Sequence, residues 1–353
     1  MHPITRRQTL ADLLRRTAIR LPNKLAIACG DTRWTYAEFD ALVTRLAAGL
    51  SQRGIGRGDR VAVLARNSHG FAALRFALAR LGAILVPINS MLKADEVAYI
   101  LRHAGAKTLA TDSGLAPLGQ AAAAMNTEVK DFIWLPSEDP SEPVGGMGSF
   151  HDLAACTDAL PDTSLQSTDL LQIVYTSGTE SSPKGAMLTH GNMLSNAVML
   201  KEYWGWTATG GPDGRGDVLI HALPIFHVHG LFVAIHGALI NGSKMIWCPK
   251  FDPKAVIAAM PRATVFMGVP TLYVRMLAEA GLNKQAVKNM RLFIAGSAPL
   301  LIETFKEWQQ RTGHTILERY GMSETIMLTS NPYAADKRYQ GQDERRGGTV
   351  AFP

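Results

Sequence analysis

The chain has 353 residues, 47% of them apolar and 19% charged, which excludes disorder over most of its length. Thirty-six Lys and Arg against 30 Asp and Glu leave a net charge of +6. Over this length that charge suits an anionic substrate and is too weak to imply a nucleic-acid partner.

The first pattern is that of an amphipathic helix, opened by residues 9–14. Arg6, Arg7, Arg15, Arg16 and Arg20 surround it without the apolar core of a secretory leader. An organelle-targeting helix is the other reading of that stretch. Strands are expected at 61–65, 84–88, 107–111, 131–135 and 170–176, then at 218–223, 244–248, 263–267, 291–295 and 314–318. Helices are expected at 37–53, 69–81, 94–104, 191–203, 228–241, 252–260, 270–280 and 299–312. Continuous apolar strands alternating with helices predict an α/β, doubly wound architecture with parallel sheets covered on both faces. Ten strands are many for one sheet, so two stacked sub-domains are expected. Residues 136–168 carry Pro136, Pro140, Pro143, Gly145, Gly146, Gly148 and Pro161 and read as a linker. That puts a first part at 1–168 and a second at 169–353. A second Gly-rich break covers 207–216, and no internal repeat is seen. No apolar run reaches the roughly 18 residues of a membrane span. Cys29, Cys156 and Cys248 lie far apart with no C-x-x-C, which reads as buried thiols in a reducing, cytoplasmic setting.

The strongest local signal is residues 175–185, Y-T-S-G-T-E-S-S-P-K-G, after the strand at 170–176. A helix pattern resumes after 189–192. Strand, hydroxyl- and glycine-rich loop, then helix suits phosphate: backbone N–H groups and hydroxyls donate to its oxygens, and Lys184 supplies charge. It is not a Walker A loop, since the lysine precedes the glycine and no Ser or Thr follows. On composition alone, a plain Ser/Gly surface loop is the alternative.

The loop resembles the T-S-G-T-T-G-x-P-K-G signature of the adenylate-forming superfamily, which holds acyl-CoA synthetases, luciferases and peptide-synthetase adenylation domains. Thr176, Ser177, Gly178, Thr179, Pro183, Lys184 and Gly185 match; Glu180 and Ser181 depart from it. Four more segments resemble its motifs in order: T-Y-A-E-F at 35–39, L-P-I-F-H-V-H-G at 223–230, A-G-S-A-P-L at 295–300 and Y-G-M-S-E-T at 320–325. The resemblance implies an acid–CoA ligase. ATP and a carboxylate give acyl-AMP and pyrophosphate, and coenzyme A then displaces AMP.

The resemblance also implies roles. Lys184, with Thr176, Ser177, Gly178 and Thr179, would hold the β- and γ-phosphates. Glu324 and Thr179 would hold Mg²⁺, and the Ser323 hydroxyl would meet the α-phosphate. Tyr320, with Gly321 and Met322 in its turn, would stack on adenine, whose edge the backbone of Gly296, Ser297 and Ala298 would approach. His227 would lie beside the acyl group, and Lys184, Glu324 and His227 would carry the catalysis. His227 and His229 stand two apart but have no third ligand nearby, so no metal is expected there.

The acid pocket is expected from His227, Val269, Ser297 and Arg275, the last one helical turn after Thr271. Residues 222–333 resemble malonyl-CoA synthetases, in which an arginine at the place of Arg275 reads the distal carboxylate. Residues 1–190 resemble generic fatty acyl-CoA synthetases. The acid is thus either fatty or medium-chain, or malonate-like; an outward Arg275 is the alternative to a pocket role. A luciferase-like oxygenase, a domain loading a carrier protein and a nucleotide-binding fragment without turnover are the other readings. Residues 347–353 resemble the turn that leads, in the superfamily, to a β-rich sub-domain and a C-terminal lid. The chain is therefore expected to be a shortened N-terminal domain, lid absent, weak in both half-reactions. Its oligomeric state is left open.

Overall fold

The computed structural model describes residues 9–137, 143–176, 182–209, 214, 216–333 and 345–350. It is mixed α/β. Its strands are β1 (Leu25–Cys29), β2 (Thr32–Thr35), β3 (Arg60–Leu64), β4 (Ile84–Pro87), β5 (Thr108–Thr111), β6 (Asp131–Trp134), β7 (Gly148–Ser149), β8 (Leu170–Thr176), β9 (Lys184–Thr189), β10 (Val218–His221), β11 (Lys244–Trp247), β12 (Val265–Gly268), β13 (Leu292–Ala295), β14 (Leu317–Tyr320) and β15 (Thr329–Ser330).

The chain divides into two compact units. The first holds residues up to Lys24, Cys29–Ser195 and Ile225–His227; the second holds Leu25–Ala28, Asn196–Pro224 and the chain from Val228 onward. The expected division at 168 is corrected by this. The chain crosses at Ser195, inside the helix His190–Tyr203, because β8 and β9 belong to the first unit's sheet. The Pro- and Gly-rich stretch is thus internal to that unit.

Among the described residues the first sheet has seven strands in the order β7-β6-β5-β3-β4-β8-β9, all parallel except the β8–β9 pair. The chain leaves β3 for β4 on one side and returns to β5 on the other, which is the doubly wound pattern. β3 to β5 are buried along nearly their whole length, as parallel strands covered on both faces must be. Ala62, Leu64 and Val86 pack with Val97, Ile100 and Leu101 of the helix Ala94–Ala104 in one core. That helix ends at Gly105 with φ +62°, a left-handed turn that costs glycine little.

In the second unit the strands run β15-β14-β13-β12-β10-β11-β1. β10 to β14 are parallel, and β15 closes antiparallel on β14. The chain leaves β10 for β11 on one side and passes to β12 on the other. A bidentate ion pair fastens the start of this sheet: Arg291 Nε and Nη2 donate to Asp217 at 2.7 and 2.8 Å, and Thr264 Oγ1 adds 2.7 Å to the same carboxylate.

Each expected strand is present within a few residues. The pattern missed β1, β2, β7, β9 and β15 and the short helices Ala116–Ala123 and Phe150–Ala154. The helix expected over 228–241 begins as a π-helical turn, His229–Ala234, before regular helix from Ile235.

Candidate functional site

In open α/β sheets, ligands bind beyond the carboxyl ends of the strands, where neighbouring connections diverge. In the second unit that place lies at the ends of β10 and β12, with β13 and β14 alongside. Val269 follows β12 directly. Gly296, Ser297 and Ala298 follow β13, and Gly321, Met322, Ser323 and Glu324 follow β14, whose last residue is Tyr320. Adjacent parallel pairing, Gly268↔Ala295 and Ala295↔Glu318, puts these three turns side by side on one sheet edge. Residues spread over 56 positions of sequence, from 269 to 324, are thereby brought together.

The turns are tightly built. A Cβ on Gly321 would stand 1.8 Å from the Ile326 carbonyl oxygen, so only glycine fits. The Ile326 N–H donates to the Met322 carbonyl at 2.8 Å and closes the turn that presents Ser323 and Glu324. Ser297 and Ile326 both hold positive φ, +70° and +66°. Such strain in residues with a Cβ persists where the surroundings over-determine it, and it gathers at binding sites. Ser297, Ala298, Tyr320, Met322 and Glu324 are exposed. The buried His229 ring brings Nδ1 to 3.4 Å from Ser297 Oγ, a long contact.

Behind the β13 turn lies a residue the pattern did not single out. Arg319 is 4% exposed, and its Nε and Nη2 have no hydrogen-bond partner among the described residues. A Cβ on Gly296 would fall 2.6 Å from its Cζ and Nε, so the guanidinium packs flat against that glycine. Burial pulls its pKa down to about 9, with nearby Tyr273 opposing. The available signal was a pair of charged residues, Glu318 and Arg319, inside a short strand. Arg275, on the helix Pro270–Leu277, is exposed, and its Cζ stands 4.8 Å over the Phe251 ring.

The remaining candidates belong to the first unit. Ser177, Gly178 and Thr179 lie outside the described residues. The loop's stems are described: Thr176 ends β8 and pairs with Lys184, which begins β9, and Tyr175 pairs with Gly185. The expectation of a strand, loop and helix is corrected here. Its stems form an antiparallel hairpin, and among the described residues the helix follows only after β9. Lys184 is exposed on the stem. His227 is exposed too, on the segment 225–227, which Asn67 anchors by accepting the Ile225 N–H at 2.9 Å. Asn67 sits at the carboxyl end of β3, buried, and no periodic pattern marks it.

Among the described residues, no group of three or more His, Cys, Asp or Glu could cage a metal. Magnesium asks for less, since it keeps water and phosphate oxygens and takes one or two carboxylates from protein. The exposed Glu324 carboxylate fits such a metal–nucleotide complex. No helix among the described residues is long and apolar enough to cross a membrane.

The fold is shared with known proteins. ATP-bound MatB from Rhodopseudomonas palustris superposes with a TM-score of 0.81 at 40% identity, covering 97% of this chain and 64% of that one. Feruloyl-CoA synthase of an Amycolatopsis species is 31% identical over 94% of this chain and 63% of its own length. The human mitochondrial malonate–CoA ligase ACSF3 is 28% identical over 96% of this chain and 59% of its own. The chain thus spans less than two thirds of the length of these relatives. The family described as AMP-binding enzyme matches residues 14–353, and this chain belongs to it.

Proposed function

We propose that the protein is an AMP-forming acid–CoA ligase. A carboxylate oxygen attacks the α-phosphorus of ATP, the bond to pyrophosphate breaks, and acyl-AMP forms. The thiol of coenzyme A then attacks the acyl carbon and AMP leaves. The reading is supported chiefly by the three neighbouring turns at the carboxyl edge of β12, β13 and β14, which hold Val269, Gly296–Ala298 and Tyr320–Glu324. Joining two anions is a problem of charge, answered by cations and fixed dipoles where negative charge gathers. Lys184 steadies the outer phosphates, with Thr176 and the Ser177–Thr179 loop. Glu324 and Thr179 hold Mg²⁺, which when bound spreads the phosphate charge. Ser323 donates to the α-phosphate, Tyr320 and Met322 flank adenine, and His227 borders the acid. Relatives named as CoA ligases favour coenzyme A over a carrier protein as acceptor.

For the acid we favour a short dicarboxylate. The supporting observation is Arg319: a buried guanidinium with two nitrogens lacking partners among the described residues, against the Gly296 turn. Such a group discriminates strongly for a second carboxylate, which it meets with paired N–H bonds. Arg275 is the second candidate for that carboxylate. ATP-dependent pyrophosphate release with malonate, octanoate and ferulate tests the reading. Malonate should support turnover best, and Arg319→Met should lower its kcat/KM by at least about a hundredfold. Lys184→Ala should silence every acid. Turnover with octanoate but not malonate, untouched by Arg319→Met and by Arg275→Ala, would end the dicarboxylate reading.

A further inference from the structure

One helix touches both stems of the phosphate loop. The Tyr99 hydroxyl donates to the Pro183 carbonyl at 3.1 Å, on the returning stem. His103 Nδ1 lies 2.7 Å from the Tyr175 hydroxyl, on the outgoing stem. Tyr99 and His103 are four residues apart on the helix Ala94–Ala104 and so share a face. Their rings stack at 5.5 Å and 21°, and His103 meets the Tyr175 ring edge-on at 5.6 Å and 81°. The Tyr175 ring in turn lies along the backbone of the opposite stem, where a Cβ on Gly185 would come within 3.3 Å of its Cζ. Tyr99 and Tyr175 also pack on the core that holds Val97, Ile100 and Leu101.

The strand ladder does not need these contacts. β8 and β9 pair by backbone from Leu170↔Thr189 to Thr176↔Lys184. The two side-chain bonds add to it at its open end: one holds Pro183, just beyond the last pair, and the other holds Tyr175, one residue before it. A phosphate cradle works only if its donors are held close to their bound positions, and a loop ordered beforehand has less freedom to lose on binding.

We infer that Tyr99 and His103 are positioning residues: together they pin the two stems that carry Thr176 and Lys184 and so set the affinity for a nucleoside triphosphate. Neither touches the nucleotide. The inference rests on the reading of Thr176 and Lys184 as phosphate-binding residues, and deepens it.

The test uses the 353-residue chain. Tyr99→Phe removes one hydroxyl, His103→Ala removes the other arm, and His103→Asn returns a polar atom near the place of Nδ1. ATP affinity is measured by calorimetry with Mg²⁺, and hydrogen exchange of residues 182–188 is followed without nucleotide. Tyr99→Phe and His103→Ala should each weaken ATP about three- to tenfold, the worth of one neutral hydrogen bond. Both should exchange faster at the stems, and His103→Asn should recover most of the affinity. The double variant should lose less than the product of the two, since both arms hold one loop. ATP affinity and stem exchange that stay as in the wild type in both single variants would overturn the inference. So would a lowered melting temperature with unchanged ATP affinity, the mark of contacts that merely stabilise. A wild-type chain that binds no ATP, indistinguishable from Lys184→Ala, would instead bring down the phosphate reading and the affinity claim. Stem exchange would then decide the pinning by itself.

Discussion

Buried imidazoles should make this protein sensitive to acid. His190 is fully buried, and its Nδ1 accepts the Leu10 N–H at 3.1 Å, which leaves the ring proton on Nε2. Burial holds its pKa down at about 4, against the pull of Asp169. Burial alone holds His221 at about 3. In the unfolded chain both take protons near pH 6.5. Stability is therefore full above that pH. It falls as the unfolded state binds protons that the native rings refuse, down to about pH 4 for His190 and 3 for His221. Each ring should cost roughly 2 to 3 kcal/mol by pH 4.5. Urea midpoints at pH 7 and 4.5 measure this, and His221→Phe should flatten the difference; an equal midpoint at both pH values would contradict it. At this scale the sequence marks candidates where a motif carries them, as for Lys184 and Glu324, both of them exposed in the structure. It was silent on Asn67 and Arg319, which stand out only through burial: Asn67 holds a partner more than a hundred residues away, and two Arg319 nitrogens have no hydrogen-bond partner among the described residues.

Strands and helices with strong apolar period were legible as elements, because that period reflects local geometry. The strand β9 was not. K-G-A-M-L-T carries a loop-like start and little alternation, and it is a strand because β8 offers it a ladder. The same missing partner turned an expected loop-to-helix phosphate site into a hairpin. The turn after β14 gives the sharpest element-scale prediction. Gly321→Ala places a methyl on the Ile326 carbonyl, so the whole turn must move. Such overpacking costs about 1 to 3 kcal/mol. Thermal unfolding should register that loss, and calorimetry should show ATP binding fall at least tenfold, since Ser323 and Glu324 ride on the turn. A variant as stable and as tight-binding as the wild type would show the turn to be pliant.

For the molecule as a whole, ligand binding and stability are linked. A ligand that binds only the native state at about a hundred times its Kd adds roughly 2.7 kcal/mol. MgATP should accordingly raise the melting temperature. Lys184→Ala and Glu324→Gln should abolish that rise while leaving the ligand-free melting temperature unchanged, because both side chains are exposed. A rise that survives both substitutions would place the nucleotide elsewhere. By itself, the sequence determined the α/β class, nearly all the parallel strands and the ligase-like motifs, because periodicity and short motifs are written in neighbouring residues. Only the tertiary structure decided that the units part at Ser195, that β8 and β9 pair back to back in sequence, and that Arg319 lies buried behind Gly296. Those facts depend on which distant segment pairs or packs with which, and no local pattern carries that information.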